Sequence, residues 1–586
     1  MVAITQKDAF AIAERATFET FANCYLREID PGRDADDRGA DWVEWCLEGE
    51  GAVLRAKVEA RSLCGPHRFG GVWRRGLDAP WGRWLPVEPL DAVAGLLREA
   101  YRRVGAGTRC TATRAREVEL FLRVLLSCQA VAANVARHAA RPRATGFIAA
   151  EQSIVFGHSF HPTPKSMQGV TDWQREVYGP EAGGAFQLVG FAAQGSLVEE
   201  GSAGRYSATR CMAHMARPQL RAGERLILMH PLQAEALQLD PAVDALKTCG
   251  ALRPLGPLGP AFSGTSSMRT VYSERAPFML KFSLPVRITN SVRRNRRHEL
   301  AAGVAIARFF RRTNVLARLP RLRILLDTAY ATVTIPGRPE SGFETILRQN
   351  PFRGPRAGSA VTVAALTGNP LPGEPSLMET LVGATPGPDA GTSWFADYLE
   401  CAFVPLVRLY DIAGIALEAH QQNSLLDVAG GRPRASFYRD NQGYYLAQSY
   451  RPRLETAIPE ASRIDELYFD EAEINDRFAY YLVVNQVFAV IARLGRDGLA
   501  DEARLLAMLH RRIETLAGEC DGAGRRFCRR LLERPTITMK GNLGARLFDV
   551  DELGGAHGYP LYGQGPNVLF QAGSAAAATR AHAYSH

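Results

Sequence analysis

The stretch Leu280–Arg293 reads Leu-Lys-Phe-Ser-Leu-Pro-Val-Arg-Ile-Thr-Asn-Ser-Val-Arg. Leu280, Phe282, Leu284, Val286 and Ile288 alternate with Lys281, Ser283, Pro285, Arg287 and Thr289. A period of two predicts a half-buried strand with its apolar face on a core. Pro285 has no N–H to give to a ladder, so the strand is expected at an edge or a bulge. The other face carries Lys281, Ser283 and Thr289, with Arg293 just beyond. Such a face suits a polyanion such as a nucleoside triphosphate, and a solvated strand face fits the stretch equally well. Lysine usage tilts the balance. The chain has 70 Lys and Arg, yet the only lysines are Lys7, Lys57, Lys165, Lys247, Lys281 and Lys540. Where Arg supplies the generic surface charge, a Lys inside a motif reads as a chosen point charge for phosphate.

At 586 residues the chain is too long for one core, and about two to four domains are expected. With 46% hydrophobic and 22% charged residues it reads as globular and soluble. A net charge of +9, spread along the whole length, does not point to nucleic acid. The densest basic run, Arg293–His298, reads instead as the opening of a helix beside an anionic small-molecule site. The ten cysteines sit far apart with no CxxC pair, which argues against a disulfide framework or structural zinc and fits a reducing cytoplasm. No signal-peptide pattern or apolar run of membrane-spanning length is read, so no membrane partner is expected.

Residues 1 to about 140 read as mainly helical. Val118, Phe121, Leu122, Leu125 and Cys128 recur at helical spacing as a core stripe, and Phe18, Phe21 and Tyr25 form a shorter one. From about 145, strand-like pieces such as Leu226–Met229 and frequent Gly and Pro appear. Within this part lies GHSFHPTPKSMQG, residues 157–169, a rigid loop that gathers His158, His161, Lys165 and hydroxyls. A phosphate or carboxylate clamp is favoured there over half a metal site, because no third ligand is near. Gly264–Thr270 places hydroxyls around Arg269 just before the Lys281 strand, a candidate triphosphate edge. No GxxxxGK loop or GxGxxG fingerprint is present, which disfavours P-loop and dinucleotide folds.

Gly/Pro-rich stretches between 368 and 391 mark a boundary. An amphipathic helix follows, capped by Thr392 or Ser393, with Phe395, Tyr398, Leu399, Ala402, Phe403, Leu406 and Tyr410 as its buried stripe. It is expected to run toward the polar end Glu418-Ala-His420-Gln-Gln422-Asn423. Arg439-Asp440-Asn-Gln-Gly443 then forms a turn, and Asp440 beside that helix end suggests Mg²⁺ held with nucleotide phosphates. Taken singly, His420 reads rather as an interior histidine and Asp440 as a turn residue. The last 25 residues are polar and Ala/Gly-rich, and the end reads as a tail outside the fold.

The ordered set GHSFHPTPKSMQG, SSMRT, KFSLPVRITNSVR, EAHQQN and RDNQG resembles the aerobactin-type siderophore synthetases, the nonribosomal-peptide-independent enzymes of the IucA/IucC family. The resemblance implies an α+β, multidomain fold. It would have a helical thumb over 1–140, mixed α/β fingers over 141–385 and a palm over 386–565 that resembles FhuF, with 566–586 as tail. Fingers and palm would form a distantly kinase-like ATP cleft. It implies ATP-dependent adenylation of citrate or a citrate-derived carboxylate, then amide or ester formation with an amine or alcohol, in a cytoplasmic homodimer. The alternatives are a kinase-like phosphotransferase and a non-catalytic binder of an anion or iron-siderophore.

Carried over by position, the resemblance assigns ATP contacts to His158, Ser267, Arg269, Thr270, Lys281 and Arg293. It gives Glu418, Gln422, Asn423 and Asp440 to nucleotide and Mg²⁺, with Glu418 and Asp440 as metal ligands. Thr289, Asn290, Arg293 and His420 fall at carboxylate positions, with Lys165 and Lys540 as further substrate contacts. His158, Arg293 and His420 are the catalytic candidates. Two positions depart from the family loop: Ser159 replaces Pro, and Met167 replaces Arg. A loop without that Arg is expected to suit a carboxylate already masked as a monoamide better than free citrate.

Overall fold

The computed structural model describes the chain except residues 1–4, 38, 80, 106–110, 141–144, 290, 385–386, 388, 441, 551–561 and 573–586. The N-terminal part is not simply helical. Helices Gln6–Glu28, Pro89–Val104 and Thr111–Ala139 pack with a five-stranded antiparallel meander running from Arg33 to Pro86. The sheet follows from period-two runs such as Ala40–Leu47, where Trp45 and Leu47 face the core. Phe18, Phe21 and Tyr25 enter that core as expected. The 118–128 stripe holds only in part: Val118 and Leu122 are 60% and 51% exposed, Phe121 packs on that core and Cys128 is buried in a neighbouring cluster, while Leu120 and Val124 face inward in their place. That helix and the one running from Glu471 to Arg496 are long and apolar enough to cross a membrane, contrary to expectation. The second is 83% buried within the fold, so its apolarity serves a core.

The central part is built on an eight-stranded sheet. In spatial order its strands are Val198–Ser202, Asp327–Val333, Thr345–Gln349, Phe278–Phe282, Thr270–Tyr272, Leu252–Gly264, Phe186–Gln194 and Glu224–Met229. The expected strand from Leu280 to Ile288 is therefore shorter, and it lies inside the sheet rather than at an edge. Its two neighbours pair with it antiparallel, Lys281 opposite Ile346 on one side and Thr270 on the other. Both faces are buried, so Lys281 is only 2% exposed. Pro285 falls after the last ladder bond, in the link to the short strand Arg287–Ile288, where a missing N–H costs nothing.

The C-terminal part begins with the helical segment 390–413. Its buried stripe is the one the sequence predicts, although Asp389 rather than Thr392 or Ser393 stands at its start. A five-residue wide turn, Leu399–Phe403, interrupts the helix before Val404–Ala413. The helix stops at Gly414, whose φ of 66° closes it in the left-handed region. Glu418–Asn423 is thus no helix end. It is a turn after the strand Ile415–Leu417, in a three-stranded sheet with Tyr444–Ala447 and Tyr468–Phe469. A four-stranded sheet pairs Leu322–Leu325 parallel with Ala435–Arg439, and Ser424–Asp427 and Ala360–Thr362 follow it. The expected tail begins too early. Tyr562–Pro566 pairs with Thr536–Lys540, and Asn567 and Leu569 are buried.

Candidate functional site

A cleft of about 1630 Å³, counted to its open mouth, runs between the central sheet and the C-terminal turns. One wall holds Ser267, Arg269, Thr270, Lys281 and Arg293. The facing wall holds Glu418, His420, Gln422, Asn423 and Asp440, and Lys540 lines the cleft as well.

Lys281 and Asp440 join the walls. Lys281 Nζ donates to Asp440 Oδ1 at 2.5 Å, and Arg348 Nη2 lies 3.7 Å from the same oxygen. Burial alone would raise the Asp440 carboxyl, but Lys281, Arg348 and Arg269 hold it well below the usual carboxylate range. Burial, reinforced by Arg269, pushes Lys281 down to about 8 against the pull of Asp440. Asp440 has a φ of 143°, a conformation rare for a residue with a Cβ. Gly443 makes the turn possible, because a Cβ there would come within 2.5 Å of the Tyr438 hydroxyl and 2.6 Å of Glu418 Cβ.

Arg269 is also buried. It donates to Asn295 Oδ1 at 3.1 Å and to Gln442 Oε1, and Gln442 Nε2 donates to Glu299 at 2.6 Å. Burial lowers Arg269 to about 10, so it stays charged at neutral pH. Ser267 Oγ accepts the Thr270 N–H at 3.3 Å, which holds the turn around Arg269. Arg293 reaches back to the Thr289 hydroxyl (3.1 Å) and the Ile288 carbonyl (3.2 Å). His420 Nδ1 accepts the backbone N–H groups of Gln422 (3.2 Å) and Asn423 (3.3 Å), so the ring proton sits on Nε2. Burial holds His420 down to about 3, and it is a neutral donor.

Four expected residues are not placed on the cleft wall. His158 lies behind it, lining a separate cavity with Arg27, Gln421 and Asn485. Its Nδ1 accepts the Phe160 N–H at 3.0 Å, and its Nε2 is 2.7 Å from the Asn485 amide. Burial, with Arg27 and Lys540 nearby, keeps it neutral, near 4. Lys165 is buried in an ion pair with Glu181 and does not line the cleft. Thr289, with a φ of 53°, orients Arg293 but does not line the cleft, and Asn290 lies outside the described residues. Met167 packs in the core of the central part opposite Ile288, so its thioether occupies no ligand position. The expected preference for a masked carboxylate loses its basis there.

The sequence reading missed Arg348 and Arg439. Arg348 is bidentate to Asp327 at 2.7 and 2.9 Å. Its signal was a charge inside the apolar strand Thr345–Gln349. Arg439 directly precedes Asp440 and was read only as part of a turn.

Two family models match the chain: the IucA / IucC family over residues 146–368, and the Ferric iron reductase FhuF-like transporter over residues 392–555. The cysteines in the second segment, Cys401, Cys520 and Cys528, are buried and line no part of the cleft. Spermidine-citrate ligase of Bacillus anthracis is 33% identical, over 96% of this chain and 98% of its own. Rhizobactin siderophore biosynthesis protein RhbC of Rhizobium meliloti is 35% identical, over 95% and 98%. ATP-bound aerobactin synthetase IucA of Klebsiella pneumoniae superposes with a TM-score of 0.85 at 26% identity, covering 94% of this chain and 99% of that one. The mixed helix-and-strand fold is thus that of enzymes that build siderophores by joining acids to amines. The chain belongs to the IucA/IucC family and is a siderophore synthetase, an amide-forming ligase.

Proposed function

We propose that the enzyme activates a carboxylate of citrate, or of a citrate derivative, as an acyl-adenylate in this cleft and then passes the acyl group to an amine. The observation that carries the reading is the buried Lys281–Asp440 pair with Arg348 and Arg269 around it. An ionised carboxylate among cations, beside the hydroxyls of Ser267 and Thr270, suits a nucleotide triphosphate arriving with a divalent cation. The ATP carried by the Klebsiella relative and the citrate named for the Bacillus one support it.

In this reading Lys281, Arg269 and Arg293 bind phosphate oxygens. A substrate carboxylate oxygen attacks the α-phosphorus, the α–β bridging P–O bond breaks, and pyrophosphate leaves. The barrier is mostly charge, which preorganised cations lower. Arg293, held by Thr289, can touch both the α-phosphate and the acid, and His420 Nε2–H donates to a carboxylate oxygen. The amine nitrogen then attacks the acyl carbon, loses a proton, and AMP departs with the bonding pair. Asp440, Glu418, Asn423 and Gln442 line one cleft and present hard oxygens, a donor set that fits Mg²⁺. Among the described residues no three metal-ligating side chains gather at one point, so phosphates and water would complete its shell. The ion would neutralise phosphate charge.

The division into thumb, fingers and palm, with boundaries near 140 and 385, belongs to this proposal, as do the kinase-like cleft, the homodimer and the cytoplasmic setting. The test is product analysis with citrate and a panel of diamines. AMP, pyrophosphate and a hydroxylamine-trappable adduct are expected, whereas ADP and phosphate alone would mean a phosphotransferase.

A further inference from the structure

Glu151 lies outside every motif above, on the short helix Phe147–Gln152, and its side chain is fully buried. Its Oε2 accepts both the Ser266 backbone N–H (2.9 Å) and the Ser266 hydroxyl (2.8 Å). Arg439 Nη2 stands 3.0 Å from each of its carboxylate oxygens. That guanidinium also donates to the Gln422 carbonyl, from Nε at 3.1 Å and Nη2 at 2.7 Å. The Arg439 backbone N–H reaches the Asn423 carbonyl at 3.0 Å. One carboxylate therefore ties together the turn that carries Ser267–Thr270, the turn that carries Gln422 and Asn423, and the residue before Asp440.

These pieces belong to different sheets and come from far apart in the chain. Direct bonds also cross between them, from Gln422 Nε2 and Arg439 Nη2 to the Ser266 hydroxyl at 3.3 Å and from Lys281 to Asp440, and Glu151 adds a buried charged tie to these. In a dry site the pair is held to one geometry, because moving either partner leaves a buried charge without its mate. We infer that Glu151 is a positioning residue that sets the separation between the Ser267–Thr270 turn and Asp440, and with it the fit of the nucleotide. Glu151 does not line the cleft and touches no reacting atom. The inference rests on the nucleotide reading proposed above.

Two variants of the full chain test it. Glu151→Asp keeps the charge and shortens the reach by one methylene; Glu151→Gln keeps the length and removes the charge. Misplacing a binding group by about an ångström costs up to about a hundredfold. Both variants are expected to raise KM for ATP by about ten- to a hundredfold. KM for the carboxylate should stay within about twofold. Calorimetric titration of ATP without the acid should show the same weakening. Folding is followed by thermal melting, and if Glu151→Gln does not fold, Glu151→Asp decides alone. Unchanged ATP binding in a folded Glu151→Asp overturns the inference. So does an equal rise in both KM values, the mark of general loosening. If the unaltered enzyme itself binds no ATP, the nucleotide reading fails first, and the two failures remain distinct.

Discussion

Asp440 holds its φ of 143° in a turn that forces its carboxylate against Lys281. Lys281 and Arg348 both face Asp440 Oδ1, at 2.5 and 3.7 Å, an oxygen that a divalent cation would use. Phosphates would draw Lys281 away and release it. Mg²⁺ alone should therefore bind weakly and ATP with Mg²⁺ tightly, and Lys281→Ala should weaken ATP binding while strengthening that of Mg²⁺ alone. Titration of each, separately and together, checks this, and equal Mg²⁺ affinity with and without nucleotide would refute it. Arg293→Ala should cut kcat/KM by about 10²- to 10³-fold, the usual loss when one donor to a developing anion is removed, with the fold intact. Met167 belongs to the same scale. Buried opposite Ile288, it should tolerate Leu almost neutrally, while Met167→Arg should destabilise by several kcal/mol, of the order expected for an unpaired buried charge, and leave the choice of carboxylate unchanged. Of the site residues, those in Ser/Thr-rich or amide-rich turns were legible, because such turns hold chemistry on exposed backbone. Glu151 was not, because a Glu in Phe-Ile-Ala-Ala-Glu-Gln reads as a solvated helix residue until its distant partner is known. Lys165 read as a substrate contact for the complementary reason, since Glu181 is not adjacent in sequence.

Elements settle what local pattern leaves open. The Phe278–Phe282 strand was readable as a strand, but its central place in the sheet depends on Thr345–Gln349, some sixty residues on. The helix Pro231–Gln238 shows another such dependence. His230 caps it through Nδ1, which accepts the Leu232 N–H at 3.2 Å. The ring lies among Tyr178, Phe186 and Phe282, and burial lowers it to about 3. His420 and His158 are lowered too, to about 3 and about 4. Above pH of about 6.5 neither the folded nor the unfolded state protonates these rings. As the pH falls through that value the unfolded chain takes up protons that the folded chain refuses. Stability therefore drops until the folded values are reached and levels off below them. Each histidine contributes about 1 kcal/mol per pH unit in that window. Denaturant midpoints measured between about pH 7.5 and 5 should fall accordingly. His230→Asn preserves a capping oxygen and should shed one proton's worth of the slope. An unaltered slope would mean that His230 is not held neutral.

At the scale of the molecule, part of the cleft lining is mounted on the N-terminal part. Lys540 lines the cleft from the end of the strand Thr536–Lys540, and the helix Asn542–Leu547 follows at once. Leu543 and Leu547 from that helix are buried in the N-terminal core with Phe21, Tyr25 and Val124. Glu28 fastens the helix start, accepting the N–H groups of Leu543 (3.1 Å) and Gly544 (2.8 Å). An N-terminal part that offers packing and little chemistry of its own therefore carries a wall of the site through an element at the other end of the chain. Leu543→Ala should remove apolar contact and leave a cavity, at a cost of about 2–5 kcal/mol. If the part merely adds bulk, the loss appears only in the melting temperature. If it positions Lys540, KM for the acid or amine should rise several-fold while KM for ATP, whose proposed contacts are centred on Lys281 and Arg269, stays near its original value. Lys540→Ala supplies the comparison. Where Leu543→Ala and Lys540→Ala shift the same substrate's KM, and the double variant shifts it no further, the helix acts through Lys540. Independent, additive shifts would show that the N-terminal part reaches the cleft by another route.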